Sequence, residues 1–228
     1  MPVFRPAAER GLLDDPGLRG RAAFSHGSAF DPAWLGWGAL RVMNRLELAP
    51  GATLPVARRA NMEVLSLVLS GRYRVGIPGE PVLEVPAGHW HRLGAGAGVD
   101  VVEANADTAQ PLHLLQLWVQ PARSNARPGQ AVVAPAVGQE RIAAPAPDPA
   151  LLPWGAKARL RRLSVLPGGV LSLPATAGDA AWLEVIGGEL ALGGRFLRGG
   201  DGLGLRDEPG LALVSSFGAD VLLLEGLG

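Results

Sequence analysis

The chain matches itself at an offset of 117 residues: Arg45-Leu46, Pro50-Gly51, Leu54, Val68 and Gly71 recur as Arg162-Leu163, Pro167-Gly168, Leu171, Val185 and Gly188. After a three-residue slip, Leu83 and Gly88 in VLEVPAGHWH correspond to Leu197 and Gly202 in FLRGGDGLGL. Two copies of one unit are the simplest source of such a match. From Met62 to Leu69 the residues Glu63, Leu65, Leu67 and Leu69 alternate with Met62, Val64, Ser66 and Val68, the period of a strand. Gly71 ends that run and Arg72–Gly76 alternates again, which predicts a β-hairpin at 63–76. The sequence is punctuated by 32 Gly and 20 Pro and holds no long apolar run at helical spacing, so the fold class is all-β. Twin β units fit a pair of small barrels or of sandwiches, and the sequence leaves both open.

The expected organisation is an N-terminal unit over residues 1–125, a linker and crossing segment over 126–153, and a C-terminal unit over 154–228. The crossing segment contains AAPAPDP, too rich in proline for a helix or a central strand. Apolar runs fall well short of the ~20 residues of a membrane helix, and no secretory signal is visible in MPVFRPAAERG, so a cytoplasmic location is expected. There is no cysteine, which excludes disulfides, thiolate metal sites and cysteine nucleophiles. Basic and acidic residues balance at 21 each with no basic run, so direct nucleic-acid binding is not expected. Lys157 is the only lysine; with the excess of Ala and Gly this is the codon bias of a GC-rich bacterial genome and carries no function.

Several segments in order carry a family resemblance. DPAWLGWGALRVMN (31–44), APG (49–51), NMEVLSLVLSG, PAG, AGAGVDVVEAN (95–105) and HLLQLWVQP (113–121), with the opening AERG and the ending from 200 to 226, resemble the pirin-like bicupins, in particular bacterial pirin-related proteins. The resemblance covers nearly the whole chain. It implies two tandem cupin barrels, of the double-stranded β-helix or jelly-roll type, packed together as a monomer, with one metal site in the N-terminal barrel. Some members resemble quercetin 2,3-dioxygenases and others resemble transcription cofactors that bind regulators. In such proteins a His-x-His pair and a His-x-Glu pair hold iron or another divalent ion, because alternate strand residues share a face and two such pairs converge on one ion.

Carried onto this sequence, those pairs fall on Ala57 and Arg59, and on Val101 and Glu103. Only Glu103 retains a donor for a metal; Ala57 and Val101 have none, and the Arg59 guanidinium is a cation at any working pH. A degenerate metal site without cofactor is therefore expected. Two alternatives stand for Arg59: it pairs with Glu103 in place of the ion, or it swings to solvent.

The chain has four histidines: His26, His89, His91 and His113. His89 and His91 in PAGHWHRL form an i, i+2 pair, and with Glu63 and Glu103 they define a relocated site for a divalent ion such as iron, nickel, copper or manganese. A short His pair without a third placed ligand is a weak metal signal, so a structural role is the first reading. His26 and His113 read as structural, and the absence of histidine beyond His113 leaves the C-terminal unit without an imidazole site. No catalytic residue is assignable. The expected function is a metal-free bicupin that binds a small organic molecule in its N-terminal barrel or acts in regulation. The alternatives are a quercetin dioxygenase-like oxygenase with relocated ligands and a protein-interaction module.

Overall fold

In the computed structural model, which describes residues 1–134, 141–146 and 152–228, the alternating stretch from 63 to 76 forms two strands, Glu63–Ser70 and Arg72–Gly76. They do not pair as a hairpin. Glu63–Ser70 lies between Trp90–Gly94 and Leu112–Val119, whereas Arg72–Gly76 lies between Leu83–Pro86 and Val99–Asn105 in another sheet. Gly71, with φ 86°, is the corner at which the chain passes from one sheet to the other. A Cβ there would lie 2.9 Å from the Pro111 carbonyl oxygen and 3.0 Å from Leu112 Cα, so only glycine combines this backbone with this approach. Period two reports which face a residue takes but does not report whether the chain turns back.

The N-terminal barrel is a seven-stranded sheet facing a four-stranded one. The first runs in the order Gly129–Val133, Trp90–Gly94, Glu63–Ser70, Leu112–Val119, Leu40–Leu48, Leu18–Ala22, Gly11–Asp15; the second runs Ala57–Arg59, Val99–Asn105, Arg72–Gly76, Leu83–Pro86. The C-terminal half repeats the plan within a ten-stranded sheet. Arg159–Val165 pairs with Ala219–Glu225 as Leu40–Leu48 pairs with Leu112–Val119, and Ala180–Leu192 covers the course of both Glu63–Ser70 and Arg72–Gly76. Gly188, φ 77°, approaches Gly218 and Ala219 as Gly71 approaches Pro111 and Leu112. One equivalence shifts by two residues: the Gly88 amide donates to the Val68 carbonyl, and the amide that donates to the Val185 carbonyl is that of Gly200, not Gly202. Both bonds are 2.8 Å long. The fold is therefore two cupin barrels.

Three apolar cores hold the halves. One fills the N-terminal barrel with Leu46, Leu48, Val64, Val68, Leu93 and Leu114; a second fills the C-terminal barrel with Leu163, Leu183, Val185, Leu203, Leu213 and Leu223. The third lies between the barrels, where Leu65, Leu67, Leu115 and Leu117 meet Leu160, Trp182, Leu222 and Leu224. Trp182 is fully buried there, with Phe24 at 4.9 Å, Trp37 at 6.1 Å and Trp34 at 6.4 Å between ring centroids. At about 1.5–3 kcal/mol for each large apolar side chain, this interface fixes the barrels against each other.

The halves also share strands. Val3–Arg5 pairs with Gly202–Arg206 in the C-terminal sheet. Within the crossing segment, Gly129–Val133 pairs with the N-terminal sheet, while Arg141–Ala144 pairs with Arg159–Val165 and Leu152–Pro153 with Arg141–Ala144; residues 135–140 and 147–151 of that segment lie outside the described residues. No helix among the described residues is long and apolar enough to cross a membrane.

The corner geometry predicts a graded glycine series. Gly79→Ala, at φ 89° with nothing within 4 Å of the new Cβ, is expected to cost about 1–2 kcal/mol for the left-handed backbone alone. Gly71→Ala carries that cost plus the collision with the 111–112 backbone and is expected to lose at least about 1 kcal/mol more, read from denaturant midpoints of the two variants.

Candidate functional site in the N-terminal barrel

Strand Ala57–Arg59 lies along Val99–Asn105 with Ala57 opposite Val101 and Arg59 opposite Val99. Arg58 turns outward to Asp100, so Ala57 and Arg59 share the inward face with Val101 and Glu103. The four positions named from the sequence are thus on one wall of the barrel. The Glu103 carboxylate accepts from three protein donors: Arg59 Nη2 donates to Oε2 at 3.1 Å, and Tyr73 Oη and Gln116 Nε2 donate to Oε1 at 2.6 and 2.9 Å. The Arg59 and Glu103 side chains are only 18% and 10% exposed, a setting in which removing either partner would leave the other charge buried without compensation. Arg59 also stacks over Trp118 at 4.5 Å from the ring centroid.

Behind this pair runs a polar row across the large sheet. Asn44, Gln116, Ser66 and His91 are directly opposite one another in register on four neighbouring strands, all buried and facing the barrel interior. Gln116 joins the row to the wall, donating to Ser66 Oγ at 3.2 Å as well as to Glu103 and accepting from Trp118 Nε1 at 3.0 Å. Burial, followed by the neighbouring Glu103 carboxylate, pushes the Tyr73 phenol well above its ordinary range, so it stays a hydrogen-bond donor.

Two groups in the row have polar atoms without a protein partner among the described residues. Asn44 is fully buried with both Oδ1 and Nδ2 unpartnered. His91 is 1% exposed, and its Nε2 lies 3.2 Å from Gln130 Oε1. Gln130 Nε2 donates to Glu80 Oε2 at 3.1 Å, which orients the amide with its oxygen toward His91 and makes Nε2–H the donor. Nδ1 is then a bare acceptor in the barrel, and it is unpartnered. A buried amide or imidazole nitrogen left in this way costs about 1–3 kcal/mol, which makes the row poor as pure packing and apt as a lining for a polar guest.

His26, read as structural from the sequence, stands at this site. Its ring meets Trp118 edge-on at 5.2 Å, and burial, then Arg59, lower its basicity while Glu103 opposes them. Nothing in AFSHGSAF signals that position; it follows from the 23–39 excursion folding back over the barrel mouth.

The relocated set is not brought together. Glu63 points to the inter-barrel face, where Arg92 binds it twice, at 2.9 and 3.1 Å, and the Gly155 amide donates to it at 3.0 Å. His89 precedes its strand, with Nδ1 3.2 Å from the Ala87 carbonyl oxygen. Among the described residues no three His, Asp or Glu side chains converge. His113 is half exposed on the outer face, 3.8 Å from Glu47. The donors at the carried-over positions do not fit a divalent ion, because one carboxylate, already held by a guanidinium, a phenol and an amide, faces two side chains without donor atoms.

His91 gives the site a pH signature. Burial lowers its pKa from 6.5 to about 4, so the unfolded chain binds the proton more tightly and stability falls as pH drops from 6.5 toward 4. The expected loss is up to about 3 kcal/mol, and His91→Gln is expected to flatten that limb in urea titrations at stepped pH.

The C-terminal residues 142–225 match the model of the quercetinase C-terminal cupin domain. Over its full length the chain is similar to a quercetin 2,3-dioxygenase of Escherichia coli, 26% identical with 99% of this chain and 98% of that protein covered. It is 29% identical to the pirin-like protein YhaK of the same organism, with 99% of each covered. Among solved structures, the bacterial pirin YhhW from Escherichia coli in complex with nickel(II) superimposes with a TM-score of 0.92 at 28% identity, covering 99% of this chain and 98% of that one. In its two cupin barrels, its quercetinase-type C-terminal domain and its full length, the chain is similar to the bacterial pirin-like bicupins.

Proposed function

We propose that this bicupin works without a metal, as a binding protein whose N-terminal barrel takes a small polar organic molecule and whose regulatory or carrier role follows from that binding. The observation that carries the reading is the Glu103 carboxylate: Arg59 supplies the cation that balances it at Oε2, and Tyr73 and Gln116 both donate to Oε1. The orphaned Asn44 and His91 atoms give the chamber a donor and two acceptors to offer a guest. On this reading Trp118, with His26 edge-on to it at 5.2 Å, is the aromatic surface beside Arg59.

The second reading, a quercetin dioxygenase-like metal-dependent oxygenase, is favoured by the names of similar proteins. Metal content separates the two. Purified untagged protein is expected to carry well under one equivalent of iron, nickel, copper or manganese and to leave quercetin unconsumed. The triple variant Ala57→His, Arg59→His, Val101→His restores two His-containing pairs beside Glu103 and is expected to gain close to one equivalent of nickel. A stoichiometric metal in the wild-type protein, lost on replacing Glu103 or His91, would overturn the proposal.

The binding half of the proposal is tested at Asn44. Asn44→Leu removes an unpartnered amide at nearly constant volume and is expected to raise unfolding stability by about 1 kcal/mol. The same variant is expected to lose the melting-temperature shifts that small hydroxylated and carbonyl compounds give the wild type in a thermal screen.

A further inference from the structure

The outer face of the seven-stranded sheet is only partly covered by the C-terminal barrel. Where cover ends, at Ile186, a groove of about 680 Å³ opens over the strands Gly11–Asp15, Leu18–Ala22 and Leu40–Leu48. That volume falls within the range of about 300–1,000 Å³ usual for small-molecule sites. Its floor is two transverse rows of cross-strand neighbours. The outer row, Asp14, Arg19, Glu47 and His113, pairs internally, with Asp14–Arg19 at 3.6 Å and Glu47–His113 at 3.8 Å.

The inner row is different. Leu12, Arg21 and Arg45 are directly opposite one another, so two guanidinium-bearing residues face each other across adjacent strands. Like charges in that position repel, and neither arginine forms an ion pair among the described residues. Arg21 donates to the Ala8 and Arg10 carbonyls, and Arg45 to that of Ile186. Glu184, fully buried, is held by both terminal nitrogens of Arg10, at 2.8 and 2.7 Å. The inner row thus presents two guanidiniums to the groove beside the apolar side chains of Leu12, Leu69 and Ile186, while the carboxylates that line it, Asp14 and Glu47, belong to the outer row. Leu12 is 63% exposed, a large apolar surface left open next to that charge.

We infer that this inter-barrel groove is a second binding site, separate from the N-terminal barrel chamber, for an amphipathic organic carboxylate whose acid group lies on Arg21 and Arg45 and whose apolar body lies along Leu12, Leu69 and Ile186. An anion between the two arginines converts their repulsion into a shared pair of charge-assisted hydrogen bonds. The apolar walls then select an acid with a hydrocarbon body over a small, strongly hydrated anion.

Octanoate is the probe, with octanol and octylamine as controls of equal chain length. Octanoate is expected to bind saturably in calorimetry and to raise the melting temperature, with affinity at least tenfold above octanol and with octylamine inert. Arg21→Gln, at an exposed position, is expected to weaken octanoate at least tenfold, as is Leu12→Asp; Arg45→Met serves as a third variant if its loss of the Ile186 contact leaves the fold intact. Asn44→Leu is expected to leave octanoate binding unchanged, which separates this site from the barrel chamber. Amide shifts on titration are expected around residues 12–21, 45–47, 113 and 186. Octanoate binding no better than octanol, an affinity indifferent to Arg21→Gln, or shifts centred on the barrel interior would each overturn the inference.

Discussion

The interaction on which the rest depends is the burial of three strands on both faces. Glu63–Ser70, Leu112–Val119 and the middle of Leu40–Leu48 present Leu65, Leu67, Leu115, Leu117 and Met43 to the C-terminal barrel and their alternate residues to their own barrel. Since successive side chains take opposite faces, a slip of one residue would exchange the two sets and expel leucines into a polar row. Register is therefore fixed by the outer face. That leaves the inner face chemically free: Asn44, Ser66, Gln116 and His91 sit inside a barrel whose strands are already held from the other side.

What occupies that freedom is a question of charge. A carboxylate with 10% exposure needs a cation or several donors, and Glu103 has both. A guanidinium solves the problem differently from a metal ion. It is tethered, it cannot be lost to a chelator, and its planar face stacks on Trp118 while one edge binds the carboxylate. Its remaining N–H groups are hydrogen-bond donors, so the chemistry the site offers at that corner is recognition of an acceptor.

The sequence disclosed the fold well because its signals were repetition and alternation. The 117-residue offset aligns Leu46, Leu54 and Val68 with Leu163, Leu171 and Val185, and Leu46, Val68, Leu163, Leu171 and Val185 are buried within their barrels. The alternation at 63–76 reads as a hairpin but belongs to two sheets, because alternation continues through a corner and Gly71 serves a corner as readily as a turn. The motif positions Ala57, Arg59, Val101 and Glu103 were legible as one wall, since i, i+2 spacing is a statement about faces. The polar row was not legible, because its members come from four strands scattered between residues 44 and 116 and only register aligns them. The same is true of Arg21 opposite Arg45.

The duplicated barrel supplies its own control for the polar row. The register that aligns Gln116, Ser66 and His91 in the N-terminal copy aligns Leu223, Leu183 and Leu203 in the C-terminal copy, and all three leucines are buried in its core. The same architecture is therefore satisfied by leucine at those three places, with Arg161 at the place of Asn44. Each leucine so placed is worth about 1.5–3 kcal/mol of burial, which the N-terminal barrel forgoes three times over while leaving Asn44 and His91 with unpartnered atoms. Neither the fold nor the packing of one barrel on the other demands that sacrifice. The polar substitution is confined to one copy, on the face turned away from the interface and adjoining Arg59 and Glu103, and breaks the local packing rule there without a compensating contact among the described residues.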